Sequence, residues 1–161
     1  MDDTEPQKAP TRSSTQQEKI SRILSFLQAE STLVLSTVGS DGAVHSAPLF
    51  YSVDESLRLA WISSPNSTHS QSLLIQPRSS IAVFRSTFQW QQIVGVQMHG
   101  VCSTVEGPDR SPILDAYCSR FNLGAAFSLL ISTSRVFLFK PGWVRYLDNQ
   151  KRLGYKFEIV L

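Results

Sequence analysis

Short runs of strand-forming residues separated by very short turns fill the sequence from residue 31 onward, and they restrict the fold more than any other feature. "STLVLSTV" (31–38) is rich in β-branched residues, "GSDG" (39–42) is a turn with two glycines and an Asp-Gly pair, and "AVHSAPLFYSV" (43–53) is strand-like again. The turn "DES" leads into "LRLAWIS" (57–63), in which Leu57, Leu59, Trp61 and Ser63 alternate with Arg58, Ala60 and Ile62. A parallel connection needs a crossover of about a dozen residues or more. Strands joined this tightly therefore run antiparallel, and residues 31–63 predict a hairpin extended into a three-stranded meander.

The pattern continues with a short helix from Thr68 to Ile75, a Gln-Pro break, and a strand over 79–86. A longer strand over 93–107 holds Gly95 and Gly100, which in a strand mark the bends or bulges that curl a sheet toward a barrel. Ser111 and Pro112 then open a helix with Ile113, Leu114, Tyr117, Cys118 and Phe121 along one stripe. "LGAAFSLLIS" (123–132) reads as a second helical stretch or a buried strand; strands over 135–149 and 154–161 end the chain. Ahead of the sheet, Thr15 and Glu18 form a capping-box pattern for a helix from Gln16 to about Ala29. Residues 1–14, polar and with two prolines, predict a disordered tail. The expectation is a mainly β fold of the α+β class: one domain over 15–161, with six or seven antiparallel strands in a barrel and peripheral helices.

Several classes are disfavoured. The chain has 161 residues, enough for one well-buried domain. Its fifteen basic and thirteen acidic residues are scattered, with no cationic run to follow a nucleic-acid backbone. Cys102 and Cys118 stand alone, outside any CxxC or Cys/His grouping, so neither a disulfide framework nor a metal site is expected. No apolar stretch approaches the roughly 20 residues that span a bilayer, and the amino terminus lacks the apolar centre of a signal peptide. A soluble, cytoplasmic protein is expected. Catalytic triads, phosphate-binding Walker loops and dinucleotide fingerprints are missing from the sequence, and no catalytic side chain is identified.

The order "HSAPLFYSVD", "LAWIS", "NSTHSQSLLIQPRSSIAVF" and a long strand ending in "HGVCSTVEG" resembles the flavin-binding split barrel of the pyridoxamine 5'-phosphate oxidase superfamily, over roughly residues 16–160. "GVQMHG" (95–100), "VEG" (105–107), "VRYLDN" (144–149) and "LGYKF" (153–157) resemble a small bacterial branch with GVQ and DN motifs. The resemblance implies a homodimer with flavin mononucleotide (FMN) in clefts at the subunit interface, acting as an oxidoreductase on a small-molecule substrate. By position, ring contacts would fall on Ala47, Pro48 and Leu49, extending to Phe50–Ser52. Third-strand contacts would fall on Ile62 and Ser63, phosphate contacts on Ser67, Thr68 and His69, and a polar contact to the ring or substrate on Gln97.

Where oxidases of this superfamily carry Ser-Arg-Lys, this chain has Ser67, Thr68 and His69, so two cations are replaced by neutral donors at a helix amino terminus. Arg78, Arg85 or a basic residue of the second subunit are candidate substitutes. No carboxy-terminal Trp and Arg arrangement for a pyridoxal phosphate substrate is evident, which argues against vitamin B6 oxidation itself. Two other readings stand beside the flavin one: a non-catalytic ligand-binding or sensor barrel that has lost tight flavin affinity, and a haem-binding barrel, which would give His45 or His99 an axial role. Each histidine also has a plain reading as a strand or capping residue, Gln97 as an exposed barrel residue, and Trp61, Trp90 and Trp143 as core or interface aromatics.

Overall fold

The computed structural model describes residues 12–124 and 127–161. In chain order these form α1 (Arg12–Ala29), β1 (Thr32–Val38), β2 (Val44–Phe50), β3 (Ser52–Val53), β4 (Leu59–Ser63), α2 (Thr68–Ile75), β5 (Arg78–Phe84), β6 (Val94–Val105), α3 (Arg110–Arg120), α4 (Ser128–Thr133), β7 (Arg135–Asp148) and β8 (Lys156–Val160). Every described strand pair is antiparallel. The strands follow the order β2-β1-β5-β6-β7-β4-β3, with β8 pairing the second half of β7.

That order explains the barrel. β2 lies at one end of the path and β3 at the other, yet only Tyr51 separates them in the chain. The sheet must curl until its two ends meet. The strand expected over 43–53 is therefore split: its first part pairs with β1, and Ser52 and Val53 pair with β4. The expected meander survives only in this divided form, because the two parts of the strand pair with β1 and β4 at opposite ends of the curled sheet. This division also accounts for the eight strands counted here.

Inward-facing residues of the strands fill the barrel. Leu33, Leu35, Leu59, Trp61, Met98 and Phe139 are fully buried, and Trp61 stacks on Phe137 with ring centroids 5.8 Å apart. β6 and β7 approach closely at Gly100. A Cβ there would collide with the Lys140 carbonyl oxygen and come within 2.6 Å of the Phe139 ring. Beside it the register slips: His99 faces Trp143 and Gly100 faces Pro141, leaving Gly142 as the extra residue of a bulge. Gly100→Ala should therefore cost about 1–3 kcal/mol, as overpacking does in a filled core. Chemical denaturation would show it, and an unchanged midpoint would refute the close approach.

Helix α1 begins four residues before the expected start, at Arg12, so Thr15 and Glu18 lie within the helix and form no cap. Thr15–Glu18 are exposed. Periodicity registers burial and has nothing to mark in these first turns. Of the expected tail, residues 1–11 lie outside the described residues. At its other end α1 is closed by tertiary contacts: Tyr51 Oη donates to the Leu27 carbonyl at 2.6 Å, and Arg120 Nη2 donates to the carbonyls of Gln28 and Glu30 at 3.0 and 2.5 Å. A guanidinium there satisfies orphan carbonyls and opposes the negative end of the helix dipole. Burial pushes the Tyr51 phenol far above its ordinary range, so it remains a donor at every physiological pH.

The helical stretch expected over 123–132 is observed as α4 from Ser128, with Ala125 and Ala126 outside the described residues. Among the described residues no helix is long and apolar enough to cross a membrane, and no three His, Cys, Asp or Glu side chains group as metal ligands.

Candidate functional site

"SSPNSTHSQSLLI" enters α2 through a capped turn. Ser67 is the N-cap, in extended conformation, and its Oγ accepts from the Ser70 amide at 3.3 Å. This cap leaves the amides of Thr68 and His69 at the helix mouth without an intramolecular acceptor among the described residues. Behind them a small network closes. His69 Nε2 is hydrogen-bonded to Ser63 Oγ at 2.6 Å and to Ser67 Oγ at 3.1 Å, and the two hydroxyls lie 3.3 Å apart. The end of β4 and the start of α2 are thus tied into one polar unit.

Sheet order brings a second wall. β1 holds β2 beside this unit, and the two walls enclose a cleft of about 490 Å³ lined by His45, Ser46, Ala47, Asn66, Ser67, Thr68 and His69. The cleft therefore unites the expected phosphate contacts Ser67, Thr68 and His69 with Ala47 of the expected ring-binding strand; Ser63 joins through His69. Sequence reasoning missed Ser46 and Asn66. Ser46 follows His45 on the exposed strand and bonds Ser36 Oγ at 3.0 Å, and Asn66 belongs to the loop leading to the cap. Their proximity to the loop and strand already singled out was the available signal.

Other expected residues lie elsewhere. Leu49 and Ile62 pack against the core, so they offer the cleft no side chain. Pro48 is exposed on the outer face of β2. Gln97 lies in the same row of that face, through Val34 of β1 and Ala82 of β5, which puts it three strands from Pro48, or about 14 Å at the usual strand spacing. It does not line the cleft. Of the candidate cations, Arg85 pairs with Glu30 at 2.9 Å. Arg78 lines a neighbouring depression of about 650 Å³ on the outer face of the sheet, together with Ser36, Val38, Val44, Ser80 and His99. Val44 of that depression adjoins His45 of the cleft along β2, and His99 stacks on Trp143 with centroids 4.7 Å apart. Trp61 is in the core and Trp90 is exposed.

Burial lowers the pKa of His69 below its ordinary value of 6.5. At neutral pH the network therefore holds a neutral imidazole, and the cleft is built from neutral donors around a helix amino terminus. The sign for stability follows. The unfolded chain binds this proton more readily than the folded one, so His69's contribution is fully present above pH 6.5 and declines as pH falls toward the lowered folded-state value. Stability measured between pH 7 and 5 should fall less steeply in His69→Asn than in the parent; equal slopes would assign the acid sensitivity to other groups.

The free amides of Thr68 and His69 and the Thr68 hydroxyl suit a phosphate group, whereas the Ser67 proton is directed to the Ser64 carbonyl and the Ser70 hydroxyl; the cleft falls within the usual range of about 300–1,000 Å³ for small-molecule sites. Several solved structures share the fold. A haem-binding protein of Mycobacterium smegmatis superposes with a TM-score of 0.72 at 18% identity, over 95% of this chain and 59% of its own. A conserved hypothetical protein of Mycobacterium tuberculosis gives 0.71 at 20% identity, over 84% and 87%. The haem storage protein HutZ of Vibrio cholerae gives 0.66 at 18% identity, over 87% and 92%. No curated protein matches the sequence closely enough to count as a relative. The sequence profile of the pyridoxamine 5'-phosphate oxidase family matches residues 21–148, and with the antiparallel barrel around it this match settles the affiliation: the chain belongs to the pyridoxamine 5'-phosphate oxidase family.

Proposed function

We propose that this protein is an FMN-binding oxidoreductase that works as a cytoplasmic homodimer on a small substrate other than a vitamin B6 phosphate. The cleft carries this reading, because it combines the free amides and hydroxyls of the α2 entrance with the exposed strand β2. Ser67, Thr68 and His69 would hold the phosphate, and β2 around Ala47 would support the ring. When bound, the flavin supplies hydride or electron transfer. The chain's own part is to bind and orient: helix amides and hydroxyls fix the anionic end, and the adjoining depression with Val38, Val44 and Val101 offers an apolar wall. No side chain is assigned as an acid or base.

The homodimer is supported by the same face. Val44, Phe84 and Val160 are 70%, 56% and 73% exposed on the outer side of the sheet, and apolar side chains left this open are commonly covered by a partner.

Haem binding is a second reading, favoured by two of the structural neighbours. His45 would be the axial candidate: it is exposed at the cleft and makes no side-chain hydrogen bond among the described residues, whereas His69 is held by two serines and His99 stacks on Trp143. The third reading, a non-catalytic ligand-binding barrel, predicts binding without turnover.

A visible spectrum of the purified protein, before and after FMN is added, separates these. Flavin bands that stay with the protein through gel filtration at dimer size are the expected result. A Soret band lost in His45→Ala would move the assignment to haem. A colourless protein that ignores added FMN would overturn the flavin reading.

A further inference from the structure

At the far side of β4 from the cleft lies a cavity of about 420 Å³ that the flavin reading leaves unused. Its polar lining consists of Thr104 and Glu106 at the end of β6, Arg110 at the start of α3, Ser132 and Ser134 around the end of α4, and Arg135 at the start of β7. Arg135 stands directly opposite Ser63 in the β4–β7 ladder, which places this cavity one strand from the His69 network.

The charges here are not internally balanced. Two half-buried guanidiniums share the cavity with one carboxylate, and neither forms an ion pair among the described residues. Arg110 Nη2 makes one bond, to the Ile131 carbonyl at 3.3 Å, which anchors α4. Arg135 makes no side-chain hydrogen bond among the described residues. Two like charges gathered in a partly desolvated concavity repel each other unless an anion lies between them. The hydroxyls sharpen the donor set. Ser132 Oγ and Ser134 Oγ donate to the Leu129 and Leu130 carbonyls at 2.9 and 2.7 Å, so their protons are committed. The Thr104 hydroxyl and the two arginine forks remain as donors.

We propose that this cavity is a second anion-binding site, separate from the cleft, that takes the phosphate group of a small molecule between Arg110 and Arg135. Planar guanidinium forks match phosphate oxygens in pairs. Thr104 adds a neutral donor, while the Glu106 carboxylate in the lining disfavours more highly charged anions. The site does not depend on flavin binding in the cleft.

The test follows the side-chain Nε–Hε resonances of Arg110 and Arg135 in the full-length protein as inorganic phosphate is added, with chloride at matched ionic strength as control. Saturable shifts at these two arginines with phosphate and not with chloride are expected. Arg135→Gln should weaken the fitted Kd at least about tenfold, the loss of one charge-assisted contact. Arg135→Lys, which keeps the charge without the fork, should fall between, and Thr68→Val in the cleft should leave it unchanged. Shifts that are linear, equal in chloride, or unaltered in a folded Arg135→Gln variant would overturn the proposal.

Discussion

Replacing Thr68 by Arg and His69 by Lys together should tighten FMN binding about 100-fold or more, while riboflavin, which lacks the phosphate, should bind as before. Each charge-assisted hydrogen bond contributes about 1.5–3 kcal/mol, and about 1.4 kcal/mol is a tenfold change in affinity. Among the described residues the cleft is lined by neither a cation nor a carboxylate, so two new cations at the helix mouth meet no internal anion that would compete with the phosphate. They also replace a neutral imidazole and a hydroxyl, which interact with a dianion only as dipoles. Fluorescence titration of both ligands against parent and variant gives the ratio directly. Equal gains for FMN and riboflavin would mean that the substitutions altered the pocket without meeting a phosphate; no gain for either would place the phosphate outside this cleft.

Trp61→Ala should destabilise the fold by about 3–5 kcal/mol, the usual cost of truncating a buried aromatic. Trp61 is fully buried, stacks on Phe137 and lies on the inner face of β4, so its loss opens a cavity between β4 and β7. With total stabilities of about 5–15 kcal/mol common for domains, this change alone brings the protein near its unfolding threshold. Trp61→Phe should cost clearly less. The indole Nε1 is buried without a partner among the described residues, and removing that unsatisfied donor offsets part of the lost packing. Denaturant unfolding of the three proteins checks the order; an alanine variant within about 1 kcal/mol of the parent would show that the barrel repacks around the gap.

His69 shows how the sequence led to the site and where it stopped. Its place at the entrance of the helix expected over Thr68–Ile75 marked it as a candidate donor, and α2 spans those residues with Ser67 as its N-cap. Nothing in the local sequence shows that its imidazole is held neutral. That state depends on burial and on Ser63, six residues away on another element. Gln97 went the other way. Its strand was legible, but its distance from the cleft depends on how many strands intervene, and spacing along the chain does not encode that number. Arg110 and Arg135 are 25 positions apart and carry no shared motif, so only the packing of α3 and α4 against β6 and β7 makes them neighbours.

Local sequence specified the elements: antiparallel strands, because their turns are too short for crossovers; the α2 helix; and the alternation that places Trp61 on one face of its strand. Those features follow from steric preferences and hydrogen bonds between residues a few positions apart. Only long-range packing fixes that the strand divides at Tyr51 between the two ends of the curled sheet, that β2 forms a wall of the cleft at the α2 entrance, and that two arginines line one cavity behind β4. Each of these depends on which strand pairs with which across the curled sheet. Pairing of that kind comes from filling one shared core, a property of the whole chain and of no single segment.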